Sequence, residues 1–363
     1  MKRRKKRYKI NRVRFATFLF LVALVLALNI LIVSLAQINI EAERQAELDE
    51  QNRLMSTPPV ITLKGDEEIQ LTFGDEYEEP GYSASDAFGK DITSKVKEEF
   101  PEITSSGVHE VRYSVTDKNG NEASVIRKIK VVFPPQTEEG RARGLSVLMY
   151  HNVYDPMNPP DWKVDSNCIT TTALEEEFKY LVDEGYYFPT WEEVRQYIDG
   201  EIDLPEKSVC LTFDDGKRIF EENGVPLIEK YDVRATAFII GTKRGDHWAA
   251  NKGKYKHLWL ESHSYDMHKP GGRIGHGGIF TALSYEDALA DLKMSQEQLG
   301  SHGAFAYPFG DYTDQCIQVV RDSGFLCAFT TEYGKIYPGD DPARLTRMRV
   351  HGSPTLEQFK SLL

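Results

Sequence analysis

The chain has 363 residues, of which 40 % are hydrophobic and 28 % charged, and a formal net charge of -12. These proportions exclude a disordered or fibrous chain, and the length suits at least two globular modules better than one. Residues 1–14 carry nine Lys and Arg and no acid, which leaves 35 basic against 56 acidic residues in the remainder. Such a body has no electrostatic footprint for nucleic acid, and no nucleic-acid partner is expected.

Taken in chain order, the basic tip over 1–14 is followed by a run from Phe15 to Ala36 without a charge, broken only by Thr17, Asn29 and Ser34. As a helix of 22 residues it would be about 33 Å long, enough to cross a bilayer. Basic residues before it and Glu41, Glu43 and Glu47 after it place the N-terminus in the cytoplasm and the body outside. The apolar run is longer than a signal-peptide core, so residues 15–37 are expected to be an uncleaved signal anchor, although Val33-Ser34-Leu35-Ala36 also fits a cleavage site. Residues 38–57, charged and free of Gly and with Pro excluded until Pro58-Pro59, predict a helical stalk.

From Val60 the pattern turns to strands. Val108, Val111, Tyr113 and Val115 mostly alternate, Asp117-Lys118-Asn119-Gly120-Asn121 reads as a turn, and Ala123, Val125, Ile129, Val131 and Phe133 alternate again, which predicts a hairpin within a small all-β sandwich over 58–134. From Leu145 strands alternate with helices, the grammar of a parallel sheet closed into an α/β barrel over 143–363. Strands are expected at 145–150, 208–213, 235–240, 304–307 and 326–330, and Leu258-Trp259-Leu260 before His263 is strand-like. Helices are expected after a capping box at Thr172 and Glu175, with Leu174, Phe178, Leu181 and Val182 inward, after another at Thr190 and Glu193, and near 219–230, 284–299 and 315–321. Cys168, Cys210, Cys316 and Cys327 match no disulfide scaffold and are expected to be buried free thiols.

Catalytic groups of such a barrel stand at the carboxyl ends of strands, and three segments qualify. Thr212-Phe213-Asp214-Asp215-Gly216 puts two adjacent carboxylates at a strand end, where joint ionisation is disfavoured unless a cation relieves it; a capping acid beside a solvated one is the alternative. His263 and His268 are five apart and would lie about 140° apart on a helix, so a turn must bring the rings together. Phe305-Ala306-Tyr307-Pro308-Phe309-Gly310-Asp311-Tyr312 is a strand end whose Pro and Gly force an irregular backbone and can aim an N–H into a cleft.

The order Tyr150-His151, Thr-Phe-Asp-Asp-Gly, Ser262-His263-Ser264 to His268, and Ala-Tyr-Pro-Phe-Gly resembles the polysaccharide deacetylases of the NodB-homology group, carbohydrate esterase family 4, over about 145–363. The His263-to-His268 spacing and the Ala before Tyr307 are nearer the branch acting on poly-β-1,6-N-acetylglucosamine. Pro59-Val60-Ile61-Thr62-Leu63, Glu79-Pro80-Gly81-Tyr82, Asp91-Ile92-Thr93 and the turn at Asp117–Asn121 likewise resemble bacterial Ig-like surface modules over 58–133, which implies a spacer. The resemblance implies a distorted (β/α) barrel that removes acetate from N-acetylglucosamine units of an extracellular or cell-envelope polysaccharide; peptidoglycan or acetylated xylan are the alternative substrates. It implies that Asp215, His263 and His268 bind one divalent metal, Zn2+ or another transition ion such as Co2+ or Ni2+, that Asp214 is the base, and that the backbone N–H of Phe309 faces the oxyanion. His151, Tyr307, Pro308 and Tyr312 would border the substrate.

Two departures stand out. The family usually has Arg where this chain has Ala306, and a late His in an apolar context as general acid. Leu345, Arg347, Arg349 and His351 alternate, so Arg347 or Arg349 is expected to supply the charge and His351 the acid; three solvated groups on an edge strand are the alternative. The expected partners are the acetylated amino-sugar polymer and the membrane, with no protein partner. The rival reading is a lapsed deacetylase domain that only binds wall glycan.

Overall fold

A computed structural model describes residues 12–134, 136–137 and 140–363; most of the basic tip lies outside the described residues. One continuous helix, α1 (Arg12–Ser56), runs through both the apolar span and the stalk. Its apolar window has a mean hydropathy of 3.0 and none of it is buried, and among the described residues it is the one helix long and apolar enough to cross a membrane. Thr17, Asn29 and Ser34 donate to the carbonyls four residues back (Val13, Val25 and Ile30), so the three polar side chains in the span are bonded within the helix itself. The helix stops before Pro58-Pro59, where a missing N–H and a ring clash forbid another turn.

The small β-module contains β1 (Val60–Leu63), β2 (Glu68–Thr72), β3 (Tyr82–Ser85), β4 (Lys97–Glu99), β5 (Gly107–Thr116) and β6 (Glu122–Val132). β1 pairs with β3, and the other four form a sheet in the order β2-β6-β5-β4. The turn between β5 and β6 falls at the expected place because the Asp117 carboxylate accepts the N–H groups of Asn119 and Asn121. Val111, Tyr113, Val115 and Ile129 point inward. The buried Arg127 spends its Nη donors on the carbonyls of Lys64, Asp66 and Gly81 and on Glu79, a structural clamp between loops.

The second body begins with β7 (Ser146–Tyr150), β8 (Asn152–Tyr154), β9 (Cys168–Thr170), α2 (Thr171–Asp183), α3 (Trp191–Ile198), β10 (Val209–Phe213), α4 (Arg218–Asn223) and α5 (Val225–Lys230). It continues through β11 (Ala235–Ile239), α6 (Asp246–Ala250), β12 (Leu258–Ser262), α7 (Tyr285–Leu299), β13 (Ala304–Ala306), α8 (Asp314–Ser323), β14 (Cys327–Tyr333), β15 (Leu345–Arg349) and α9 (Leu356–Lys360). Seven parallel strands close into a barrel in the order β10-β11-β12-β13-β14-β15-β7. Val147, Cys210, Phe238, Ala304, Ala306, Cys327, Phe329 and Leu345 form one buried cluster, while Leu148, Leu211, Phe213, Ala237 and Ile239 alternate with them and pack with Leu174, Phe178, Leu181 and other helix residues in a second. Each fully buried Leu or Phe of this kind contributes about 1.5–3 kcal/mol. All four cysteines are buried and free.

Local expectations divide here. The capping box at Thr190 and Glu193 is present at the start of α3. The cap of α2 is Thr170, not Thr172, and the inward stripe is Leu174, Glu177, Phe178 and Leu181, with Val182 44 % exposed. Glu177 takes the inward place because its carboxyl group accepts the Tyr150 hydroxyl at 2.7 Å.

Candidate active site

The strand ends named in the sequence converge. Phe213 pairs in register with Tyr150 of β7 and with Ala237 of β11, so the next two residues, Asp214 and Asp215, emerge at the carboxyl rim. Ser262 of β12 pairs with Phe305 of β13, which brings His263 beside Ala306, and the His263 Nδ1 lies 2.7 Å from the Ala306 carbonyl oxygen. The turn that returns His268 to His263 is held by α7: the Asp291 carboxylate accepts the N–H groups of Tyr265 and Asp266, both at 2.8 Å. The hydroxyl of Ser264 accepts the N–H of Met267 at 3.1 Å. The two rings end with their centroids 4.6 Å apart.

Asp215 Oδ1 lies 3.9 Å from His263 Nε2 and 3.6 Å from His268 Nε2, and the three ligand atoms fall within 4.8 Å of one another. Burial pushes the His263 imidazole below its ordinary pKa against the pull of Asp214 and Asp215. Burial and the neighbouring His263 push His268 down to about 4. Burial would raise the Asp215 carboxyl, but His263, Lys217 and His151 outweigh it and hold it ionised, with Lys217 Nζ at 2.8 Å. Two neutral imidazoles and one carboxylate are what a borderline divalent ion such as zinc takes as ligands, so these residues fit the metal that the sequence implied.

Asp214 is 3 % exposed and held by Arg347 through two parallel bonds, Nη1 to Oδ1 and Nη2 to Oδ2, each 2.8 Å. Arg347, 1 % exposed, also donates Nε to the Thr330 carbonyl and Nη1 to the Thr212 hydroxyl, so its plane is fixed. Burial by itself would raise the Asp214 carboxyl; the Arg347 charge and its bonds, helped by His263 and His151, outweigh it and hold the group well below the usual carboxylate range. Of the two arginines on β15, it is therefore Arg347 that meets Asp214, and Arg349 instead donates to the Asn167 side chain. His351 is exposed and makes no hydrogen bond or ion pair with Asp214 or the triad among the described residues. Alternation places all three on one face, but each two-residue step climbs about 6.6 Å toward the rim, so Arg347 is buried, Arg349 half-buried and His351 solvated.

The remaining candidates also separate by depth. His151, partly exposed, has Nε2 4.0 Å from Asp214 Oδ2, and burial lowers its pKa. Tyr307 and Pro308 are buried, the Tyr307 hydroxyl donating to the Ala343 carbonyl at 2.9 Å, so they shape the strand end and do not line an open cleft. The Tyr312 hydroxyl is taken by Glu332 at 2.5 Å. Phe309 sits in the left-handed region at φ 60°, ψ 0°, with Asp215 and Ser264 also at positive φ, so strained backbone gathers around the triad. Gly310 follows at φ 76°, where an added Cβ would stand 2.0 Å from the Thr331 hydroxyl oxygen.

Residues 201–328 match the model of the polysaccharide deacetylase family. The barrel is a polysaccharide deacetylase domain. Enzymes of this family are hydrolases that remove acetyl groups. Residues 61–131 match the Ig-like domain of bacterial surface proteins, so an Ig-like module precedes the deacetylase domain. A poly-β-1,6-N-acetyl-D-glucosamine N-deacetylase of Staphylococcus epidermidis is 26 % identical over 227 residues, 56 % of this chain and 78 % of the relative. The Streptococcus pyogenes deacetylase PplD superposes with a TM-score of 0.52 at 22 % identity, over 61 % of this chain and 98 % of that one. IcaB from Ammonifex degensii gives 0.50 at 24 %, over 61 % and 96 %. The two superpositions establish the shared fold of the deacetylase domain.

Proposed function

We propose that the chain is a metal-dependent N-deacetylase of an N-acetylglucosamine-containing polysaccharide, anchored by α1 with its deacetylase domain outside the membrane. The observation that carries this reading is the Asp215–His263–His268 triad beside an Asp214 carboxylate clamped by Arg347. Asp215, His263 and His268 would hold the ion, and zinc suits the donor set. When bound there, such an ion supplies Lewis acidity, polarising the acetamide carbonyl and acidifying the attacking water enough for a base as weak as Asp214 to deprotonate. Asp214 takes the proton, Arg347 keeps it ionised and oriented, and the N–H of Phe309 donates to the developing oxyanion. An Asp214 carboxyl this acidic returns its proton readily to the leaving amine, so the proposed route no longer depends on His351 or Arg349.

The substrate class is carried by the name of the Staphylococcus epidermidis relative and by the polysaccharide deacetylase family match. The intact triad and the clamped Asp214 disfavour a domain that only binds glycan. The test is acetate release from poly-N-acetylglucosamine, chitin oligomers, peptidoglycan and acetylated xylan, with and without chelator. Chelator-sensitive release from the first of these is expected; a chain with full metal content that releases no acetate from any of them would overturn the proposal.

A further inference from the structure

The two histidines of the triad are held in different ways. His263 is buried and its Nδ1 is fixed by the Ala306 carbonyl at 2.7 Å, the usual way in which a ligand imidazole is oriented through its second nitrogen. His268 is partly exposed, and among the described residues no other residue's carbonyl or side chain is hydrogen-bonded to its ring. Besides the other ligand ring, His263, what lies against it is Phe309, with ring centroids 4.4 Å apart and planes at 35°.

The backbone at Phe309 adds a second observation. A residue needed only for its N–H in a left-handed turn would be least strained as glycine, and a bulky side chain at φ 60° is a true outlier. Room for the ring is provided from the facing loop, where Gly278 would put a Cβ 2.9 Å from Phe309 Cδ2. We infer that the Phe309 side chain is a positioning residue: its ring fixes the His268 imidazole in the orientation that a metal ligand needs, and the left-handed backbone is what delivers it. The inference rests on the proposed metal site and adds to it a role for the Phe309 side chain beside that of its N–H.

The experiment is metal affinity, by chelator competition on the full chain in detergent, for the native protein and for Phe309→Tyr, Phe309→Leu, Phe309→Met and Phe309→Gly, with the metal-free melting transition and the His268 ring NMR shifts of each. Phe309→Tyr keeps the ring and should bind within about threefold of native. Phe309→Leu, Phe309→Met and Phe309→Gly should bind about 10–100-fold more weakly, the usual effect of removing an outer support of a ligand. Their His268 shifts should lose the ring-current displacement, and Phe309→Gly should melt no lower than Phe309→Leu because it relieves the strained φ. Native-like affinity in the folded Leu, Met and Gly variants would overturn the inference alone. Absence of metal binding by the native chain would overturn the metal site itself, and with it this inference.

Discussion

Replacing Arg347 with Met keeps length and apolar volume and removes the charge that faces Asp214. The pair is buried on both sides and bonded twice at 2.8 Å, so the variant leaves an unpaired carboxylate in the barrel, a defect that costs about 3–5 kcal/mol at neutral pH. The sign with pH follows from the direction of the shift. Asp214 is held below its unfolded pKa, so the stability that Arg347 confers is present in full above about pH 4 and is lost as pH falls from there through the depressed folded pKa. Chemical denaturation at pH 7 and at pH 3 should therefore show a large gap between native and variant that narrows in acid. In the enzyme assay, burial is no longer opposed by the Arg347 charge and its two bonds, so the acid limb of the pH–rate profile should move up by about 1–3 pH units, and the rate at the optimum should fall by about 10-fold or more. Arg349→Met, which touches Asn167, should leave the acid limb in place. An unmoved acid limb and native stability in Arg347→Met would refute the claim that this guanidinium keeps Asp214 ionised.

Three further outcomes are expected. His263→Ala or His268→Ala should lose bound metal and activity together, whereas Asp214→Asn should retain metal by elemental analysis and lose most turnover; metal loss in Asp214→Asn would exchange the proposed roles of the two aspartates. Glu177, buried beneath Tyr150, is pushed up to about 8 mainly by burial, so its desolvation costs nothing below about pH 4.5 and destabilises the fold as pH rises toward 8. Glu177→Gln should thus melt close to native at pH 5 and above it at pH 8, by no more than about 4 kcal/mol in stability, and equal melting at both values would contradict the assignment. Finally, the full chain should partition with membranes through carbonate washing, and a chain beginning at Thr57 should not; release of the full chain by the wash would count against α1 as an anchor.

Much of the fold is written locally. The uncharged span from Phe15 to Ala36, the turn at Asp117–Asn121, the Thr190–Glu193 capping box and the apolar strands that end at Asp214 and His263 are each decided by neighbours within a few residues, so composition and period reveal them. Glu177 escaped that reading because the partner that brings it inward, the Tyr150 hydroxyl, stands 27 residues away. The site divides on the same line. Which residue types cluster at the strand ends was legible, since a parallel barrel gathers its carboxyl ends at one rim. How deep each one sits was not: period two puts Arg347, Arg349 and His351 on one face, but only the closure of β15 against β7 sets Arg347 level with Asp214 and leaves His351 in solvent. The burial of Tyr307 and the turn that Asp291 holds between the two histidines likewise depend on packing by elements 25 to 36 residues away, a distance at which no local pattern carries the information. Residue chemistry and local period belong to the sequence; depth, and therefore charge state and access, belong to the closed barrel.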